Sequence, residues 1–211
     1  MQELIDTVYL IGNGPRSIER VRSLKDKQVF SLTNSAFEFD SWGFQPRYFG
    51  ALELPVHKDN FLKFIDKTDL LFKKTRMTIF LPEWLTKYRI LPSNVVTKRR
   101  YDYNMEKPYH APNAFQVFGN LGPNCAYIIA KFLGFPKIIL LGFSGHIPGD
   151  KKKSDAHVRA WRRFAKCRDM AFPNLVVLNA SRDSHVDCFP KCDLDGENQF
   201  EVENPDYWKT H

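Results

Sequence analysis

An apolar, β-rich run near the start of the chain ends abruptly at a pair of glycines. Residues 7–17 read Thr-Val-Tyr-Leu-Ile-Gly-Asn-Gly-Pro-Arg-Ser, and the turn consists of Gly12, Asn13, Gly14 and Pro15. This order predicts a buried parallel strand, a tight turn and a helix capped by Ser17. Glycines let backbone N–H groups approach an anion closely, and a helix start favours negative charge. The turn is therefore a candidate phosphate site, although a plain tight connection has the same sequence. The third glycine of the dinucleotide-binding Gly-x-Gly-x-x-Gly pattern is missing.

Short apolar segments alternate with amphipathic segments along the rest of the chain. The pattern predicts strands over 28–33, 47–52, 77–81, 138–142 and 175–178, and helices over 59–72, 122–133 and from Ser154 or Asp155 to 167. The all-apolar run Ile138-Ile-Leu-Leu141 is typical of a central parallel strand buried on both faces. We therefore expect one α/β domain over residues 1–211, with a single doubly wound, mostly parallel sheet.

Residues 83–121 interrupt this alternation. They combine several prolines with a dense mixture of Tyr, Asn, His and basic residues, and they show no clear periodicity. A long irregular stretch inside a compact domain is typical of a functional loop. We expect this segment to be a lid or an acceptor-binding segment.

Positive charge is concentrated in the middle of the chain. Residues 73–168 contain 19 Lys and Arg against 5 Asp and Glu, whereas the whole chain has a net charge of +7. A basic region of this kind indicates a polyanionic partner, such as nucleic acid, an anionic glycolipid or a phosphorylated donor. A solvated basic surface is the alternative explanation.

Membrane-spanning and secreted classes are disfavoured by the sequence. The chain has no run of about 18 apolar residues, which a transmembrane helix requires. The first residues lack the basic segment of a signal peptide. Four cysteines without a secretion signal are typical of reduced thiols, so we expect a cytoplasmic protein.

Small polar residues collect where the predicted strands end, which is where ligands bind in doubly wound sheets. They can hydrogen-bond the phosphates, sugar and base of a nucleotide, and beyond the first turn they are Asn34, Ser35, Ser144, Gly145, His146, Asn179 and Ser181. Carboxylates are missing from these strand ends. We therefore expect no divalent metal site and no cofactor apart from a nucleotide co-substrate.

His157 is the candidate general base. It falls in the first turn of a predicted helix, just after a polar loop, 147–153, that ends in three lysines. A neutral imidazole in that position can take a proton from an acceptor hydroxyl. Position alone also fits a surface histidine beside a helix cap, and His146 is a competing base because it directly follows a strand end.

Several of these segments resemble the small bacterial sialyltransferases. The run Asn13-Gly-Pro-Arg-Ser17 is similar to the Asn-Gly-Pro-Ser opening of that family, and Asn34 is similar to its donor-binding asparagine. Residues 122–135, followed by Lys137-Ile-Ile-Leu-Leu-Gly142, resemble its central helix and strand. The related archaeal pterin pyrophosphokinase-like proteins share the Gly-Pro opening.

The resemblance implies a Rossmann-like, sialyltransferase-like fold and an inverting, metal-independent sugar transfer from a nucleotide-sugar donor. It implies that His157 is the general base, that Asn13 and Gly14 hold the donor phosphate and ribose, and that Asn34 and Gly122 line the nucleotide. The tyrosine pair that assists the leaving phosphate in that family is not evident after Gly142. Lysines 151–153 are the candidates to neutralise that charge instead.

Two acceptors and two other functions stay open. The acceptor is either an anionic surface glycan or a hydroxymethylated base in phage DNA, on which the candidate stacking groups are Tyr101, Tyr103, Tyr109 and Phe115. The alternative functions are an ATP-dependent pyrophosphokinase acting on a small heterocycle and a nucleic-acid-binding module without catalysis. The sequence does not specify an oligomeric state.

Overall fold

The computed structural model describes the chain except for residues 1–5, 15, 53–56, 103–113, 146, 182, 197–198 and 201–211. In this part of the chain, ten strands form one sheet. They are β1 Thr7–Ile11, β2 Gln28–Leu32, β3 Tyr48–Gly50, β4 Thr78–Pro82, β5 Val95–Asp102, β6 Ala114–Val117, β7 Lys137–Leu141, β8 Val176–Asn179, β9 Lys191–Cys192 and β10 Gln199–Phe200. Their order is β10-β9-β8-β7-β1-β2-β3-β4-β5-β6, and all neighbours are parallel except β9 and β10.

Within the described residues, five α-helices cover the two faces of the sheet. They are α1 Ile18–Arg22, α2 Phe39–Trp42, α3 Lys58–Lys74, α4 Leu121–Ile128 and α5 Lys151–Ala171. Short 3-10 turns follow β2 at Thr33–Phe37 and β4 at Glu83–Lys87, and a π-helical turn, Ile129–Leu133, extends α4. As expected, Ser17 caps α1 by accepting a hydrogen bond from the Arg20 N–H at 3.2 Å.

Two hydrophobic cores lie on opposite faces of the sheet because strand side chains alternate. Val8 and Leu10 of β1 pack with α4 and α5, whereas Tyr9 and Ile11 pack with α1, α2 and α3. Each core is rich in fully buried aromatic rings, including Phe30 on the first face. The expected doubly wound α/β architecture is confirmed.

The strand order reverses at β1, whose neighbours are β2 on one side and β7 on the other. Ile11 at the end of β1 pairs with both Ser31 and Leu141. The turns that follow β1, β2 and β7 therefore meet at one point of the carboxyl edge. In open α/β sheets this topological switch point is where ligands bind.

The structure differs from the sequence expectations in two segments. Within 83–121, which was predicted to be irregular, a 3-10 turn and strands β5 and β6 extend the sheet. Helix α5 begins at Lys151, with Asp150 as its N-cap, rather than at Ser154 or Asp155. The three lysines consequently lie in the first turn of the helix and not in a loop.

Candidate functional site

The turns after β1 and β7 are hydrogen-bonded directly to each other. The Gly12 N–H donates to the Leu141 carbonyl and the Gly14 N–H donates to the Gly142 carbonyl, both at 2.8 Å. A Cβ added to either Gly12 or Gly14 would lie 2.6 Å from the Gly142 carbonyl oxygen. Glycine is therefore required here by the contact between the two turns. The amides of Gly12 and Gly14 are thus already bonded, whereas the Asn13 side chain is exposed.

The turn after β2 lies beside the turn after β1 because Ser31 pairs with Ile11. Asn34 is exposed in this 3-10 turn. Ser35 is fully buried, and its hydroxyl donates to the Leu32 carbonyl. Of the two predicted donor-binding residues, Asn34 therefore faces outward, whereas Ser35 holds the shape of the turn.

Phe143, directly after Gly142, packs against two helices of the site, α4 and α5. Its ring meets the Trp161 ring of α5 edge-on, with centroids 5.1 Å apart. A Cβ added to Gly122 of α4 would lie 2.6 Å from a Phe143 ring atom and 2.8 Å from a Trp161 ring atom. Gly122, predicted to line a nucleotide, therefore lies in the contact between α4 and these two rings, where only a residue without a side chain fits.

The segment after β8 holds the β7 turn in place. The Ser181 hydroxyl accepts hydrogen bonds from the Gly142 N–H at 2.8 Å and the Phe143 N–H at 3.2 Å. The Ser184 hydroxyl donates to the Phe143 carbonyl, and the His185 N–H donates to the Ser144 carbonyl at 2.6 Å. The backbone around Ser144, a predicted donor-binding residue, is thus fixed from the neighbouring strand end.

Gly145, the next predicted residue, has a φ of 68°, in the left-handed region that favours glycine. It is buried, and a Cβ there would lie 3.3 Å from a Val158 methyl carbon of α5. Gly145 therefore allows the chain to turn tightly against α5. The predicted residues Pro15 and His146 lie outside the described residues.

Asn179 and Lys191 also stabilise the segment after β8, through hydrogen bonds. Asn179 is fully buried, accepts from the Ser181 N–H at 3.0 Å and donates to the Ser184 hydroxyl at 3.0 Å. Lys191 donates to the carbonyls of Ser181 at 3.1 Å and Ser184 at 2.7 Å. Burial lowers the pKa of Lys191 to about 8. The polar residues predicted at the end of β8, Asn179 and Ser181, therefore hold the local backbone in place.

His157 lies in the second turn of α5, one helical turn before Trp161. Because residues i and i+4 share a helix face, His157 is on the side of α5 that carries the buried Ala160 and Trp161. It is half-buried, and burial lowers the pKa of its imidazole below the ordinary value of 6.5. The neutral form, which a general base requires, is therefore favoured at neutral pH.

Arg16 is a site residue that was not singled out from the sequence. Its side chain is only 7% exposed, and its guanidinium donates to the Gly14 carbonyl at 3.0 Å and to the Glu38 carboxylate at 2.5 Å. Its position directly after the Gly-Asn-Gly-Pro turn was the available signal. Nothing in the sequence indicated that Glu38, 22 positions later, would be its partner.

The switch point and the strand order can be compared with known structures. The chain superimposes on the MAf glycosyltransferase from Magnetospirillum magneticum AMB-1 with a TM-score of 0.66, over 98% of its own length and at 16% sequence identity. The fold is glycosyltransferase-like. The chain spans 36% of the length of that protein. The sequence matches no protein-family model and no curated protein.

These comparisons confirm the expected fold but not the finer resemblance to sialyltransferases. Among the described residues, no helix combines the length and the apolarity needed to span a membrane. All four cysteines are free thiols, and Cys125, Cys167 and Cys192 are buried. The predicted stacking residues Tyr103 and Tyr109 lie outside the described residues, and the side chains of Tyr101 and Phe115 are not described.

Proposed function

We propose that this protein is a glycosyltransferase that moves a sugar from a nucleotide-sugar donor to an acceptor hydroxyl. The observation that carries the proposal is the half-buried His157, which lies one helical turn before Trp161, the residue that packs on Phe143 after β7. Strand β7 borders the switch point of a glycosyltransferase-like sheet. Asn13 and Asn34, both exposed at neighbouring strand ends, are the proposed donor contacts. Their amide groups can both donate to and accept from phosphate and ribose oxygens.

The proposed reaction is a single displacement with inversion. The neutral imidazole of His157 takes the proton of the acceptor hydroxyl while the acceptor oxygen bonds to the anomeric carbon. The bond between that carbon and the donor phosphate breaks, and its electron pair leaves with the nucleotide. The first turn of α5 carries Lys151, Lys152 and Lys153 at the positive end of the helix, and we propose that they neutralise the departing phosphate.

We propose that the transfer needs no metal ion. The three residues that directly follow each of β1, β2, β7 and β8 include no carboxylate. Hard divalent cations bind through carboxylate oxygens, so these strand ends are poorly suited to hold one. We propose that the lysines in the first turn of α5 supply the positive charge instead.

The test is a panel of CMP, UDP, GDP and ADP sugars, and ATP, each assayed with and without Mg²⁺. A ligand that binds the folded state raises the melting temperature, so the panel identifies the donor base. Transfer by His157→Gln should fall about 10²- to 10⁴-fold, while donor binding is retained. His57→Gln, at the exposed start of α3, is the matched control and should keep full activity.

The panel also separates this proposal from the other candidates. Stabilisation by ATP only in the presence of Mg²⁺, without a response to any nucleotide sugar, would favour a pyrophosphokinase. Full activity of His157→Gln would rule out His157 as the general base.

The outer face of α5 supports an anionic acceptor. Four exposed cations on that face have no ion pair among the described residues, and they are Lys152, Arg159, Arg163 and Lys166. Lys152, Arg159 and Lys166 are seven residues apart, which spaces them about 10 Å from one another along the helix. An anionic glycan and hydroxymethylated DNA both satisfy this charge pattern, and offering each as acceptor distinguishes them.

A further inference from the structure

One arginine, Arg16, bonds the β1 turn and the residue that follows the β2 turn, and it lies beside the β7 turn. Arg16 donates to the Gly14 carbonyl of the β1 turn at 3.0 Å and to Glu38, just beyond the β2 turn, at 2.5 Å. A Cβ added to Gly142 of the β7 turn would lie 3.1 Å from Arg16 Cδ. The same side chain therefore connects the carboxyl ends of three strands.

The contact between Arg16 and Glu38 is reinforced by a buried tryptophan. The indole N–H of Trp42 donates to the same Glu38 oxygen at 3.3 Å, and the Arg16 guanidinium lies over the Trp42 ring, 5.7 Å from its centroid. One of the two donors to the carboxylate, Trp42, thus belongs to α2 and is buried in the core, and the other, Arg16, lies over its ring. The two hydrogen bonds to one carboxylate oxygen fix the orientation of Glu38 as well as its distance from Arg16.

Burial of this arginine is not explained by stability alone. The ion pair gives little net stabilisation, because Glu38 is 41% exposed and partly solvated, and because desolvation of Arg16 opposes the attraction between the charges. In addition, Arg16 Nε is buried and has no hydrogen-bond partner among the described residues. A buried donor without a partner is unfavourable, so the arrangement is one that fixes geometry at the expense of stability.

We propose that Arg16, held by Glu38, is a positioning residue that sets the distance between the two donor-contacting side chains, Asn13 and Asn34. The pairing of β1 with β2 ends at Ile11 and Ser31, before either asparagine. Beyond that point, Arg16 is the described side chain that links the two turns. This inference rests on the proposed function, because it takes a nucleotide-sugar donor as the ligand that the two asparagines hold.

The first test is Arg16→Lys. Lysine keeps the charge but lacks the planar fork, so it does not reach both the Gly14 carbonyl and Glu38 in the same geometry. We expect the KM for the donor to rise at least tenfold while kcat changes less than threefold. The matched control is Arg22→Lys, because Arg22 also joins α1 to α2, through the Ser41 carbonyl at 3.0 and 2.9 Å, but lies exposed. It should leave both constants unchanged.

Hydrogen exchange provides a readout that does not depend on the donor. Arg16→Lys should speed amide exchange in both segments 12–17 and 32–38, whereas Arg22→Lys should affect neither. Faster exchange in the first segment alone would overturn the link between the turns. Faster exchange in both segments with an unchanged KM would overturn the positioning role.

The proposed function can fail separately from this inference. If no nucleotide sugar stabilises the wild-type protein, the donor assignment fails, and the exchange experiment still decides whether Arg16 links the turns. Glu38→Gln, combined with Arg16→Lys, completes the test. If the two act through one contact, the double variant should have a KM no higher than the worse single variant, and additive increases would contradict the shared role.

Discussion

Gly12 and Gly14 illustrate how one residue pattern admits two physical explanations. Their spacing suggested a phosphate cradle, but the structure uses both amides to bond Leu141 and Gly142. The sequence predicted a strand, a turn and a helix start here, and the structure has all three. It gave no indication that the partner of the turn would be another backbone segment more than a hundred residues away, because that depends on the strand order.

Neighbouring residues in this turn should therefore respond differently to substitution. Gly14→Ala places a Cβ 2.6 Å from the Gly142 carbonyl oxygen and should lower the free energy of unfolding by about 1–3 kcal/mol. Asn13→Ala removes an exposed side chain and should leave stability within about 0.5 kcal/mol. It should weaken donor binding by roughly tenfold, as expected for a lost hydrogen bond. Urea unfolding and donor titration measure the two effects, and equal loss of stability in both variants would contradict this division.

The half-buried imidazole of His157 predicts a specific pH dependence. Burial lowers its pKa below 6.5, so the folded protein favours the neutral form more strongly than the unfolded chain does. Its contribution to stability is therefore fully present above about pH 6.5 and is lost as pH falls below that value. The acidic limb of kcat/KM should have its midpoint below pH 6.5. Transfer rates between pH 5 and 8 test this, and a midpoint above 6.5 would contradict the burial of the base.

The start of α5 shows that a helix boundary depends on the residues that precede it. Three consecutive lysines are not a helix start signal, because cations are unfavourable near the positive end of the helix dipole. The structure starts the helix there because the Asp150 side chain accepts from the Lys153 N–H at 2.9 Å. In contrast, β7, α3 and the glycine cap at Gly134 were predictable, since each has a strong local pattern. Strands β5 and β6 lacked such a pattern and were missed.

The segment after β8 offers a test of how the β7 turn is held. Ser181→Ala leaves the N–H groups of Gly142 and Phe143 without their acceptor, and both residues are buried. We expect a loss of about 1–3 kcal/mol in the free energy of unfolding, together with reduced transfer because the turn is part of the proposed site. Ser23→Ala is the control, since its hydroxyl is exposed and donates to the Arg20 carbonyl. A change below about 0.5 kcal/mol for Ser181→Ala would contradict the supporting role.

Across the whole molecule, the sheet was predictable and the charge distribution was only partly so. The alternation of apolar and amphipathic segments was enough to predict a doubly wound α/β sheet. The basic middle of the sequence indicated a polyanionic partner, but only the helix geometry gathers exposed cations such as Lys152 and Arg159 on the outer face of α5. A sequence count cannot distinguish cations that pair with carboxylates, such as Arg162 with Asp187 at 2.5 Å, from those that do not.

A charge-reversal experiment tests whether this face binds the acceptor. The triple variant K152E/R159E/K166E should raise the KM for an anionic acceptor at least tenfold and should flatten its dependence on salt concentration. The control K25E/K27E/K74E changes the net charge equally at exposed positions outside α5 and should have a much smaller effect. Equal effects of the two variants would show that only the total charge matters.

The bond between the β1 and β7 turns also determines when this site can form during synthesis. Leu141 and Gly142 are synthesised about 130 residues after Gly12. Until then, β1 has β2 on one side and an unpaired edge on the other, and such edges are prone to pair with other chains. If β1 pairs with β2 before β7 is made, the central strand has an open edge until β7 completes the sheet.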